Sequence, residues 1–132
     1  FAEAAAQAGH AGETSALIDE ALERAERNQE LWAYPETLRV KGELLLLQDT
    51  PDPQLARQYF LRSLKQARAQ GALSWELRTA MSIARLELGL GSPDQAQEVL
   101  SHAYAQFREG FDTADLKAAK QLLDALKSME LQ

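Results

Sequence analysis

Three stretches of this chain place a small residue, a large apolar one four positions later, and a small one three beyond. They are Thr14-x3-Ile18-x2-Ala21, Ala56-x3-Phe60-x2-Ser63 and Ala96-x3-Leu100-x2-Ala103. Each follows another small residue at a nearly constant interval. Ala84 stands twelve before Ala96, Ala2 twelve before Thr14, and Gly42 fourteen before Ala56, with the two extra residues falling in a turn at 49–53. Paired helices account for the spacing: small side chains sit where two helices cross closely, and the large one fills the gap beside them. Three occurrences in phase, at a period of 40–42 residues, restrict the chain to a stack of such pairs.

Composition agrees with an all-α chain. Ala, Leu, Glu, Gln and Arg dominate, whereas Ile and Val together number four, so helix formers far outweigh strand formers. The 132 residues suffice for one domain with its own core. Hydrophobic residues at 45% and charged ones at 26% are ordinary for a globular chain. The net charge of −6 speaks against direct binding of nucleic acid or of an anionic membrane, both of which call for a cationic footprint. No cysteine is present, so disulfides and thiolate metal sites do not arise. No apolar run reaches the length of a transmembrane helix. The chain opens at Phe1 in what reads as a helix, without an initiator Met or a leader, as expected of a piece cut from a longer cytoplasmic protein.

Punctuation predicts seven helices. A short Ala-rich helix over 1–8 ends at a turn between Gly9 and Gly12, and a second spans about 13–27 until Asn28 and Gln29 break it. A third spans about 32–47, with Pro35 in its first turn. Asp52-Pro53 then supplies an N-cap and a first-turn proline for a helix closed by Gly71. Ser74 caps a helix ending near Gly89 or Gly91, and Ser92-Pro93-Asp94-Gln95 forms a capping box for a helix reaching Glu109. Asp112 or Thr113 starts the last helix, about 113–130, whose broad apolar stripe fits a cap on the end of a stack. Phe111 is expected to anchor the turn before it in the core. The expected repeats cover about 1–28, 32–70 and 74–109.

The spacing is that of a tetratricopeptide repeat with lengthened helices. More specifically, "RVKGELLL" (39–46), residues 56–86 and "FREGFDTADLKAAKQLLDAL" (107–126) resemble the carboxy-terminal tetratricopeptide-like region of large bacterial signalling proteins. Those proteins join a P-loop ATPase to such repeats, with an adenylate-cyclase-like or DNA-binding output domain at the other end. The resemblance covers roughly 15–126 and implies a right-handed superhelix of antiparallel helix pairs acting as a regulatory module. No GxxxxGK[ST] loop occurs in this chain.

Catalytic chemistry finds little footing. His10 falls in the expected Gly9–Gly12 turn and His102 within a helix, with no HExxH spacing to make either a metal ligand. Asp112 and Asp115 read as helix-start residues. No catalytic residue, cofactor or metal is expected. Arg57, Arg62, Lys65 and Arg68 lie on a helix without a single acid between Pro53 and Gln70. They span about 140° of its outer face, either solvated, or docked on an acidic domain, or complemented by the acidic helix at 13–27.

In repeats of this kind the first helices line a concave face where ligands bind. Aligning Gly42 with Ala84 makes Glu36 equivalent to Arg78, Glu43 to Arg85, and Arg39 to Met81. Opposite charges at two levels predict an inter-repeat ladder that sets register more than strength. Arg39 has no equivalent acid and is the first candidate for ligand contact, with Glu43, Arg78, Met81 and Arg85 around it. Trp75 is expected as a wedge on the neighbouring pair. The expectation is a non-catalytic interaction or regulatory module, holding a peptide or another domain of its own chain in the concave groove. The alternative is a small-molecule sensor using the same groove. Self-association, if any, is expected through the amino-terminal end.

Overall fold

The computed structural model describes the backbone of residues 2–29 and 31–130 and the side chains of 12–29 and 31–129. Among them are six helices: α1 (Ala2–Asn28), α2 (Tyr34–Leu46), α3 (Pro53–Gln70), α4 (Leu73–Gly89), α5 (Pro93–Tyr104) and α6 (Ala114–Glu130), and no strand. The chain divides into two compact halves, 1–66 and 67–132, with the division falling inside α3.

The expected turn at Gly9–Gly12 does not form. Residues 2–28 are one continuous helix, so the proposed pairing of 1–8 with 13–27 fails and the count is six rather than seven. Each glycine costs a helix only about 1 kcal/mol relative to alanine, and six alanines surround the two, with no proline near. His10 is therefore helical rather than in a turn; its side chain and that of Ala2 lie outside the described residues.

The other boundaries follow local chemistry. Asp52 Oδ1 accepts the Leu55 N–H at 3.1 Å, the N-cap expected before Pro53. Pro35 lies in the first turn of α2, where no helical N–H is needed. Gly71 and Gly91 adopt φ of 67° and 84°, the left-handed geometry that ends helices, and Gly110 adopts φ of 77° in the turn before α6. Ser74, by contrast, does not cap α4. Ala72 takes the cap position two residues earlier, and no side chain caps the helix. Ser92 precedes α5 without a side-chain cap bond, so the expected capping box does not close. α5 stops at Tyr104 rather than Glu109, and tighter i→i+3 bonds from Gln106 and Phe107 unwind its end. Thr113, not Asp112, caps α6, its Oγ1 accepting the Leu116 N–H at 3.4 Å.

Each half closes around the small-and-large pattern. In the first, Gly42 lies flat against Phe60; a Cβ there would stand 2.5 Å from Phe60 Cε1. Phe60, Leu38 and Ala56 are fully buried, and Ser63 Oγ donates to the Pro35 carbonyl at 2.6 Å. In the second half Ala84, Ala96, Leu100 and Ala103 share one apolar cluster with Leu77 and Ala80. α6 adds Leu116, Ala119, Leu123 and Leu126 to it, packing on both α4 and α5. Phe111 is 48% exposed and rests tilted on the Tyr104 ring at 5.8 Å, so it does not anchor the turn. The early end of α5 turns Phe107 toward the cluster instead.

Two helix connections correspond in detail. α1 ends at Asn28 with Gln29 at φ 56°, and α3 ends at Gln70 with Gly71 at φ 67°. Both steps are 42 residues apart, as Gly42 is from Ala84. In each, a residue of the last turn reaches one in the first turns of the next helix: Glu26 to Tyr34, and Arg68 to Glu76.

Candidate functional site

The polar side chains of the first half gather where α1 meets α2 and α3. Lys41 falls on the apolar stripe of α2, one position before Gly42 and three after Leu38, so folding carries it inward. Its side chain is 8% exposed. An ammonium so placed needs partners. It donates to Ser15 Oγ and, at 3.0 Å, to Asp19 Oδ2, both one turn apart on α1.

Two turns nearer the start of α2, Tyr34 donates its hydroxyl to Glu26 of α1. Arg62 of α3 donates to the same hydroxyl at 2.9 Å and to Glu26 Oε1 at 3.4 Å. Burial pushes the Tyr34 phenol above its ordinary range, the Glu26 hydrogen bond adds to that, and the Arg62 charge opposes it. Both cations approach the Tyr59 ring, with the Arg62 guanidinium carbon 5.3 Å and the Lys41 nitrogen 6.0 Å from its centre. Leu22 of α1, with Tyr34 and Leu38, forms the small apolar cluster beneath, flanked by Ile18 and Ala25. Two cations and two phenol rings on α2 and α3 thus face two carboxylates and a serine on α1.

The second half holds a buried carboxylate. Glu76, 3% exposed, accepts from Gln106 Nε2 at 2.7 Å and from Arg68 Nε at 3.3 Å. This contact ties the end of α3 and the segment after α5 to the first turn of α4.

The residues singled out from the sequence scatter among these surroundings. Arg39 is half-buried and bonds Glu36 at 2.5 Å and Glu43 at 3.8 Å, both on its own helix. Arg78 donates to Asp115 of α6 at 2.9 Å, which gives Asp115 a partner besides its place at the helix start. These pairs of Arg39 and Arg78 each lie within one half. Arg85 is exposed on α4. Met81 is a core residue, 5% exposed in the apolar cluster of the second half. Trp75 is half-buried in the first turn of α4, and His102 is exposed in the last turn of α5.

The row on α3 is not one uniform cationic face. Arg57 donates to Gln54, Arg62 to Glu26 and Arg68 to Glu76, while Lys65 is exposed. For Arg62 the acidic helix supplies the complement. Sequence reasoning passed over Lys41, Tyr34, Tyr59 and Glu76. A lysine inside an apolar stripe was the visible signal for the first; its partner 22 residues away carried none.

No family model, curated protein or solved structure matches this chain significantly. Among the described residues no helix is long and apolar enough to cross a membrane.

Proposed function

We propose that this chain is a non-catalytic, tetratricopeptide-like interaction module of a bacterial signalling ATPase or transcriptional regulator. Its ligand is a peptide or another domain of its own longer chain. What supports the reading is the correspondence of the Asn28–Gln29 and Gln70–Gly71 connections at one 42-residue step. The close approach of Gly42 to Phe60, and the shared burial of Ala84 with Leu100, accompany it. Units that repeat in this way gain extended faces rather than one deep cleft, which suits a segment of polypeptide as ligand. Arg39 and Glu43 on α2 are the polar groups we assign to ligand contact in the first half, and Arg78 and Arg85 on α4 those we assign in the second.

Selection of the intact chain against a random peptide library tests the proposal. The expected ligands lose at least about tenfold in affinity with Arg39→Ala or Arg85→Ala, the 1–2 kcal/mol of a charge-assisted contact. Peptides indifferent to both variants would remove these residues from the site. A saturable thermal shift with a small metabolite, and none with any peptide, would transfer the face to a sensor.

A further inference from the structure

α1 is held to the first half in a way that permits exchange. Among its described side chains, 12–28, the contacts run along one stripe, Ser15, Ile18, Asp19, Leu22, Ala25 and Glu26, and of the apolar members of that stripe Leu22 alone is buried. The other described contacts of the stripe are polar: Lys41 on Ser15 and Asp19, and Tyr34 with Arg62 on Glu26. Packing alone does not call for a lysine at position 41, since an apolar side chain of similar volume is commonly neutral or stabilising in place of a buried charge. What Lys41 and Arg62 add is selectivity: the face accepts a helix with acids and rejects one without.

The hinge points the same way. Gln29 adopts φ 56° where the corresponding connection has Gly71. A side chain in the left-handed region is strained, so this connection is held at a cost that Gly71 does not carry.

We propose that the face of α2 and α3 carrying Lys41, Tyr34, Tyr59 and Arg62 is an acceptor for an acidic amphipathic helix. α1 is its resident occupant. A partner helix with Asp and Glu seven residues apart, flanking a leucine as Asp19 and Glu26 flank Leu22, takes the place of α1. Charge complementarity selects this occupant, because both carboxylates of the resident meet cations of the face. This deepens the interaction-module reading but uses a different surface: positions 39 and 41 of a helix point about 200° apart. Loss of this proposal therefore leaves the assignment of Arg39 and Arg85 standing, and the converse holds.

The test uses the complete chain with its own α1 weakened by Asp19→Asn and Leu22→Ala, which leaves the acceptor unchanged. A fluorescent peptide of residues 12–28 with the native sequence is titrated against it. The variant should bind the peptide at least about tenfold more tightly than the unaltered chain, whose tethered α1 competes at high effective concentration. Adding Lys41→Met to the variant should abolish the gain, and a peptide carrying Asp19→Asn and Glu26→Gln should not bind. Equal binding to variant and unaltered chain, with the helical signal of both intact, overturns the proposal, as does indifference to Lys41→Met. Should the variant unfold, hydrogen exchange on the unaltered chain decides. Amides of 15–26 opening while α4 stays protected support exchange, and a common rate for both overturns it. A dimer of the unaltered chain that excess peptide fails to dissociate assigns the face to a second copy and also overturns the proposal.

Discussion

α1 and α6 are the first and last of the described helices in the chain, and they attach to their respective halves by different chemistry. α6 puts Leu116, Ala119, Leu123 and Leu126 into the apolar cluster of the second half, each at most 6% exposed. α1, over its described side chains 12–28, buries one leucine and leans on three polar residues. Leu17 on its outer side is 64% exposed. Apolar burial is indifferent to the identity of the partner and hard to reverse. Charge-assisted contacts are weaker where water reaches them but discriminate between partners. The second half is thus built for permanence at its terminal helix, the first for choice.

The largest effects should come from α6. Leu123→Ala or Leu126→Ala leaves a cavity in a filled cluster and should cost about 2–5 kcal/mol, read as a fall in the denaturant midpoint at constant slope. Ending the chain at residue 112 should cost more and reduce solubility, because the faces of α4 and α5 that α6 covers lose their cover. A truncated chain as stable and monomeric as the whole would contradict the permanent attachment of α6.

Next in size is Gly42→Ala. The new Cβ meets Phe60 ring atoms at 2.5 and 2.7 Å, and Phe60, fully buried, has nowhere to move. Overpacking of this kind costs about 1–3 kcal/mol, and contact so short places it at the upper end. That outweighs the roughly 1 kcal/mol that alanine gains over glycine in a helix. Phe60→Leu in the same chain should recover part of the loss, and a failure to do so would locate the strain elsewhere.

These two positions also show what the sequence discloses. Gly42 and Phe60 could be matched because close crossing leaves a local mark, a small residue facing a large one at fixed spacing. Asp52-Pro53, Gly71 and Gly91 were legible for a similar reason: a cap or a left-handed backbone admits few residue types. Gly9 and Gly12 misled because a breaker acts against the propensity of its neighbours, and alanines won. No glycine or proline announces the end of α5 at Tyr104, and the exchange of Phe111 for Phe107 follows from that end. At the candidate site, Lys41 could be seen to lie in an apolar stripe, but Asp19 could not be named. A partner 22 residues away is brought by the fold, not by any pattern along the chain.

On the α1 side the effects should be smaller and should show the signature of charge. Asp19→Asn leaves the Lys41 ammonium poorly compensated and should cost about 1–2 kcal/mol, moderated by water around a half-exposed carboxylate. Asp19→Asn with Lys41→Met should cost less than Asp19→Asn alone, since the buried charge is then gone. If the double change is additive, the pair does not hold α1. Gln29→Gly should close the hinge more firmly by up to about 1 kcal/mol, reduced by the added freedom of glycine in the unfolded chain. Slower hydrogen exchange in α1 alone would report it.

The smallest effect concerns pH. Tyr34 has its folded-state pKa raised above the unfolded value, by burial first and by the bond to Glu26 second, with Arg62 in opposition. A raised pKa means that the folded chain holds the proton more tightly, so this contribution to stability is complete below the unfolded pKa of about 10. It is lost as pH rises from there through the folded value, when the phenolate must face the Glu26 carboxylate. Stability measured by denaturant should therefore fall above pH ~10, and more steeply than in Tyr34→Phe, which has no proton at that site to lose. The change should register at α1, as faster amide exchange over 15–26, before it registers at α6, whose attachment involves no phenol. A parallel loosening of both helices would mean that the two attachments are not independent. Identical alkaline profiles for the native chain and Tyr34→Phe would detach the phenol from the hold on α1.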